Sequence, residues 1–369
     1  MKCIWKKALA FAVAATTLLS AGASADSVDD GNAVFMMNEV MKENGTDRNL
    51  VFSPYSVQQI LASIGANSHD QRLEKELAPY TVPGIRWETL KNTKTGGLIL
   101  LDKNIGITDT TKASGDLRIV SFPDGALQEK IAFQNRILGD VIDRDAPQGN
   151  LAFLTAAHYF AEWQVPFDTA NTKDRPFTLS DGTIEQVPTM YNEVETGLAK
   201  KTDDYEMTVL QGKKGSQVYF IKPTQNRDDV AAHLDRILDS FDRHEGVQEH
   251  VKLYIPKTKL ESKMNIRPLF KTMGITSFFQ GDLYFDTIAG DIPFTVTEAK
   301  QTTTLDINET YADAKALTEI SFRVTSMPVV KTPVTVKMDS PYFIVIRDVT
   351  DTETPRIVFM AWIADPMRN

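Results

Sequence analysis

Three observations predict an α+β fold. Helical spacing of apolar residues is weighted to the first half of the chain. Short strand-like runs, several in antiparallel-looking pairs, crowd the second half. Strands and helices do not alternate in the regular series that builds a parallel sheet.

The elements follow in chain order. Val34, Met37 and Met41 recur at helical spacing over Asn32 to Met41. Asn49 to Ala66, NLVFSPYSVQQILASIGA, joins a short apolar strand to a helix. Ser53 is placed to cap that helix and Pro54 to occupy its first turn. Ile60, Leu61 and Ile64 give it a buried face, and Gly65 is read as its end. A short helix is expected over Arg72 to Leu77, and strands over Gly97 to Ile107 and Leu117 to Phe122. Ala126 to Ile142 has helical spacing. Leu151 to Trp163, long and apolar, reads as a central buried strand. Met207 to Leu210 and Gln217 to Lys222 form a strand pair around a glycine-containing turn. Val230 to Phe241 is helical, Val251 to Pro256 a strand, and Asn265 to Met273 a helix. Phe294 to Val296, Val334 to Met338, Tyr342 to Asp348 and Arg356 to Ala364 complete the strands.

One segment has strand patterning without an obvious sheet. From Ala312 every second residue (Ala312, Ala314, Ala316, Thr318, Ile320, Phe322, Val324) is small or apolar, and the interleaved residues are mostly polar. Side chains alternate faces along a strand, so one face suits burial. Yet the flanks, the polar run Lys300 to Asn308 and the proline-marked stretch Pro328 to Pro333, suggest exposure.

The first 25 residues read as a secretory leader. Lys2, Lys6 and Lys7 precede an apolar run, Ala8 to Leu19, too short to span a bilayer comfortably. Ala23-Ser24-Ala25 suits cleavage. Cleavage would remove Cys3, the only cysteine, so the exported product would rely on its core without disulfides. It would also be more acidic than the net −9 of the whole chain, a poor match for nucleic acid. The remaining chain is long enough for one large domain or two ordinary ones. No other apolar run reads as a membrane span, so an extracellular or periplasmic protein is expected.

Enzyme chemistry finds no foothold. His244-Glu245 opens like a zinc-protease helix, but the next histidine is His250, off that helix face. There is no Gly-x-Ser-x-Gly elbow, no glycine-rich phosphate loop and no cysteine nucleophile after leader removal. No pair of carboxylates stands out for acid–base work, and most read as solvated.

Five motifs in order make the chain resemble the serpins over essentially all of the expected mature length. Asn49, Ser53, Pro54, Ser56, Leu61, Gly65 and Ala66 are similar to the segment that in that family underlies the main sheet, called the shutter. Trp163, Pro166, Phe167, Asp168, Thr172 and Phe177 resemble the top of the third strand of that sheet, the breach, with Val187, Pro188 and Met190 following. Ile255, Pro256, Lys257, Leu269, Met273, Gly274, Ile275 and Phe279 fit a third stretch. Pro341 to Asp348 and Ile357 to Pro366 fit the C-terminal strands.

The resemblance implies a single domain over 26–369 with three β-sheets, a helical layer and an exposed reactive-centre loop at about 309–330. A target serine protease cleaves that loop and is acylated on it. The loop then inserts as a new strand into the main sheet, the fate that the alternation from Ala312 to Val324 suits. The protein itself is then no enzyme. No cofactor or metal is implied, and the expected form is a monomer. An exported bacterial member of the family is expected. The hinge comprises Glu309, Thr310, Tyr311, Ala312, Ala314 and Ala316, and Gln301 joins the shutter and breach set with Trp163.

The usual count from Glu309 places the scissile bond at Thr325-Ser326, which suits an elastase-like protease. Counting back from Pro341 gives Val330-Lys331, and Arg323 would invite a trypsin-like or subtilisin-like enzyme. The chain departs from the family pattern at Tyr311, where glycine is usual, and at Lys315, where small residues are favoured. Loss of the glycine removes backbone permissiveness at the hinge, about 0.5–1 kcal/mol. Slower insertion would turn an inhibitor into a substrate, so a non-inhibitory binding protein is the alternative. Thr155 stands for the common Asn and Gln301 for the frequent His. Helices between the second-helix motif and strand 98–107 look shortened, and so does the helix before 117–122. No heparin-like cofactor is therefore expected.

Overall fold

The computed structural model describes residues 25–81, 90–105, 116–160, 162–281, 283–286, 291–309, 332–349 and 355–368. Seven α-helices lie in these residues: α1 (Ala25–Asn44), α2 (Pro54–Ala66), α3 (Gln71–Leu77), α4 (Asp124–Leu138), α5 (Arg227–Ala232), α6 (Leu234–Asp242) and α7 (Arg267–Thr272). Strands β1 (Leu50–Phe52), β2 (Thr93–Asp102), β3 (Asp116–Val120) and β4 (Leu151–Tyr159) come before the hairpin of β5 (Lys173–Thr178) and β6 (Ile184–Lys201). There follow β7 (Tyr205–Gln211), β8 (Gln217–Pro223), β9 (Gln248–Pro256), β10 (Thr258–Asn265) and the short β11 (Leu283–Tyr284) and β12 (Pro293–Phe294). The chain closes with β13 (Glu298–Ile307), β14 (Val334–Lys337), β15 (Tyr342–Val349) and β16 (Pro355–Ile363).

A five-stranded sheet has the order β10-β13-β4-β2-β3. Its centre is a parallel pair, β4 with β13, running from Ala152 opposite Glu298 to His158 opposite Thr304. We call this boundary the seam. The outer neighbours, β10 and β2, run antiparallel to the seam strands. A nine-stranded sheet is bent along β6, whose register with β9 breaks between Val194 and Leu198. Above that break β5, β6, β9 and β14 form one layer. Below it β6 continues into β7, β8, β15, β16 and β1 as a second. The three-sheet expectation is met in this way, and β11 and β12 add a small ribbon.

Packing explains the elements. On β13 the odd residues Ala299, Gln301, Thr303, Leu305 and Ile307 are all buried. Leu98, Leu100, Ala152, Leu154 and Ala156 on the other face cluster with Ala126, Phe133, Ile137 and Leu138 of α4. The helix therefore lies across the sheet, over β2 and β4. Helix α2 is capped as its sequence predicts: Ser53 Oγ accepts from the backbone of Ser56, and Pro54 fills the first turn.

Several boundaries differ from expectation. Gly65 does not end α2; it lies inside the last turn, where a Cβ would sit 3.2 Å from Leu77 Cδ1 of α3. Gly139, with φ 77°, ends α4 before Ile142, because glycine enters the left-handed region without a Cβ clash. The single helix expected over Val230 to Phe241 is two, split at His233. β4 stops at Tyr159, so Trp163 lies beyond the strand and bridges Gly212 instead. The run Lys300 to Asn308 is not an exposed flank but most of β13, with Thr302 and Thr303 buried. β2 spans Thr93–Asp102 rather than Gly97 to Ile107. The helix expected to be shortened before 117–122 falls largely on 106–115, and part of the other on 82–89, outside the described residues.

Candidate functional site: the seam and its two locks

Ser53 sits where β1 turns into α2, beneath the seam, and its backbone N–H, left over at a helix start, needs an acceptor. Gln301 of β13 supplies it, with Oε1 at 2.8 Å. The two N–H groups of the Gln301 amide are shared among three acceptors, Ser53 O at 3.0 Å, Ser56 Oγ at 2.9 Å and, at a longer 3.3 Å, Thr155 Oγ1. Because the Ser53 N–H can only donate, the amide orientation is fixed by its partners. Ser53 Oγ donates to Val358 O at 2.8 Å, and Thr303 Oγ1 to Val51 O at 3.0 Å. Ser53, Ser56, Thr155 and Gln301 are all within 1 % of full burial. Thr155 and Gln301 face each other across the seam in register, so one amide ties both seam strands to the helix end.

Asn49 stands apart from this cluster. Its side chain accepts from the backbone of Ala364 and Asp365 at 2.8 and 3.0 Å and donates to the carbonyls of Asp365 and Arg368. It lies at the opposite end of β1 from Ser53, so it pins the C-terminal segment rather than the seam.

A second lock closes the upper end, where β13 leaves the sheet. Trp163, 3 % exposed, donates its indole N–H to Asn308 O at 2.8 Å. Phe167 N–H donates to Glu309 O at 3.1 Å. The Glu309 carboxylate, also buried, accepts from Thr172 Oγ1 at 2.7 Å and pairs with Lys257 Nζ at 2.9 Å. Burial pushes the pKa of Glu309 up, but the bonds from Lys257 and Thr172 prevail and hold it below the ordinary carboxylate value. Sequence reasoning placed Glu309 in the hinge but missed these two partners. Both residues lie in matched motifs, yet they are remote in sequence from Glu309, and only the fold brings them together.

Between the locks, His158 of β4 meets Thr304 of β13 with Nδ1 2.6 Å from Oγ1. Burial, aided by the charge of Lys94, lowers the His158 pKa against the opposing pull of Asp306. Below the locks, a buried ion cluster holds α4. Asp143, just past the helix, accepts from Lys130 of α4 at 2.6 Å and pairs with Lys263 of β10 at 2.9 Å. Lys300 of β13 lies 3.7 Å away. Burial alone would raise the Asp143 pKa; the lysines outweigh it and lower it to about 2. Burial also lowers the pKa of Lys130.

The remaining hinge residues Thr310, Tyr311, Ala312, Ala314 and Ala316 lie outside the described residues, as do all scissile-bond candidates, Arg323, Thr325, Ser326, Val330 and Lys331. No group of His, Cys, Asp and Glu fit to hold a metal occurs among the described residues.

Residues 134–366 match the family model described as serpin (serine protease inhibitor). The chain belongs to the serpin family. Among curated relatives of this serpin, antitrypsin of Bombyx mori is 25 % identical, covering 94 % of this chain and 95 % of its own. Human corticosteroid-binding globulin is 22 % identical, over 69 % of this chain and 65 % of the relative. The crystal structure of native protease nexin-1 with heparin superposes with a TM-score of 0.76 at 19 % identity, covering 92 % of this chain and 99 % of that one. That likeness bears on the fold. The two curated relatives come from animals, so they lend no support to the bacterial source expected from the sequence.

Proposed function

We propose that this serpin is an exported suicide inhibitor of a serine protease, with an elastase-like enzyme as the favoured target. The observation that carries the reading is the path of the chain through the seam. β13 leads from one seam strand through Glu309 directly into residues 310–331, whose alternate residues from Ala312 to Val324 are small or apolar. A chain turning back at Glu309 into the seam would run antiparallel to both β4 and β13, the arrangement their mutual parallel pairing leaves room for once they part. Burial of Ile320, Phe322 and Val324 would then favour insertion. The relative named antitrypsin supports the inhibitory reading. Thr325 before Ser326 supports the elastase-like preference, and the pattern of residues 2–25 supports export.

Incubation of the chain with elastase, trypsin and subtilisin, followed by denaturing gels, tests this. A covalent complex with elastase is expected. Cleaved serpin without any covalent complex sinks the inhibitory reading. The mass of the released fragment identifies the bond cut and decides between Thr325-Ser326, Val330-Lys331 and a cut after Arg323.

A second reading, a non-inhibitory binding protein, is favoured by Tyr311 and Lys315 and accords with the relative named corticosteroid-binding globulin. Thermal unfolding separates the two. Loop cleavage that greatly raises the melting temperature reports insertion and counts against this reading.

A further inference from the structure

We infer that the outer face of β5, β6, β9 and β14 is a docking surface for an acidic patch on the target protease, centred on Arg175, Tyr254 and Lys337. This rests on the inhibitory reading above. The centre is a tyrosine approached by two cations. The Arg175 guanidinium carbon lies 4.7 Å from the Tyr254 ring centroid, and Lys337 Nζ lies 5.6 Å from it. Tyr191, opposite Tyr254 in the β6–β9 register, packs its ring 4.9 Å from the Tyr254 ring. A cavity of about 160 Å³ opens beside them.

Charge balance marks this row out. One pleat further along, Glu193 is matched by His250 at 2.9 Å and Lys252 at 3.7 Å. Around the Tyr254 ring, neither Lys337, opposite it in register, nor Arg175, which reaches it from β5, has an ion pair among the described residues. The carboxylate lining the cavity, Asp339, is taken by Lys222 at 2.7 Å. The buried Arg175 Nε is out of an outside partner's reach, but the charges of Arg175 and Lys337, with no carboxylate paired to them among the described residues, are left for an acceptor from outside. Two uncompensated cations on a chain of net charge −9 give that acceptor a sign: it is anionic.

Position names the partner. Lys337 ends β14, six residues beyond Lys331, so it lies within roughly 22 Å of that residue along the chain. A protease engaged on the loop is therefore brought beside this face. Tyrosine and arginine are the residue types that anchor protein interfaces. Opposite charge flanking a reactive segment speeds encounter more than it deepens the final complex.

The test uses elastase, trypsin and subtilisin, each with its nucleophilic serine replaced by alanine, so that binding is read without acylation. At least one is expected to bind the full chain with an affinity that falls as salt rises. Arg175→Glu/Lys337→Glu should weaken that binding about tenfold and flatten its salt dependence. Arg175→Gln/Lys337→Gln, which removes charge without reversing it, should fall between. Equal affinity of all three forms, or no binding of any alanine protease, overturns the proposal. If active proteases only cleave the chain while the alanine forms still bind in this charge-dependent way, inhibition fails and the docking surface stands. Covalent trapping, with binding that is indifferent to both double variants, sinks the surface and leaves the inhibitor.

Discussion

Gln301 joins both seam strands to the start of α2 with one amide, and the cost of losing it is correspondingly local. Gln301→Ala leaves the Ser53 N–H buried without its acceptor and takes a donor from Ser56. A loss of about 1–3 kcal/mol in unfolding free energy is expected, read by denaturant titration. A loss within error would show the cluster to be dispensable. His158 contributes a pH dependence of opposite character to a salt bridge. Its pKa is lowered in the folded chain, so the fold prefers the neutral ring. Stability is then full above the unfolded value near 6.5 and declines as pH falls through and below it. Thermal midpoints of the wild type should drop between about pH 7 and pH 5, and those of His158→Gln should drop less. Parallel profiles would place the titration elsewhere. At this scale the sequence was legible where the chemistry is local. Ser53 and Pro54 declare a helix start by capping and φ alone. Thr172 and Lys257 carry no sign of Glu309, because their meeting depends on the whole sheet being in place.

Among the elements, α4 is held on two sides of the seam. Its apolar face rests on β2 and β4, while Asp143, just beyond its C-terminus, is gripped by Lys263 of β10 and lies near Lys300 of β13. The helix and its following turn thus strap the strands that the inhibitory reading requires to separate. Asp143→Asn would leave Lys130 buried without its counter-charge, and a destabilisation of about 3–5 kcal/mol is expected. A value near zero in denaturant titration would mean the cluster holds nothing. The Asp143 pKa is lowered, so its contribution is present above 3.8 and is lost as pH falls toward about 2. Helix α1 could be read from its spacing and α2 from spacing and cap, and α3 was placed without its Asp70 cap being seen. β13 could not be read from its own pattern, because its Thr-rich run looks solvated; only the family resemblance gave it a strand, in which Thr303 satisfies its hydroxyl on Val51 O and is fully buried. The long β6, 18 residues, was missed because each of its two layers uses only part of it, and no single alternation runs through.

For the whole molecule, five ordered motifs carried the family, and three sheets with a helical layer followed from it. They did not disclose that Asn49 serves the C-terminal segment. They did point to the seam, between the strand ending near Trp163 and the one running into Gln301 to Ile307, and β4 and β13 pair there directly. That pairing has a further use. Cys3 is the chain's only cysteine, and Ala156 lies opposite Thr302 across the seam on the α4 side. Paired strands run about 4.8 Å apart, within the span a disulfide bridges. Ala156→Cys/Thr302→Cys is therefore expected to form a bond that staples the two strands. Oxidised, it should leave the chain open to cleavage but unable to trap a protease, and a reductant should restore trapping. Covalent trapping undiminished in the oxidised form would show that the seam need not part. If the inhibitory reading holds, a thiol–disulfide couple would turn a trap that works once into one that can be armed at a chosen moment.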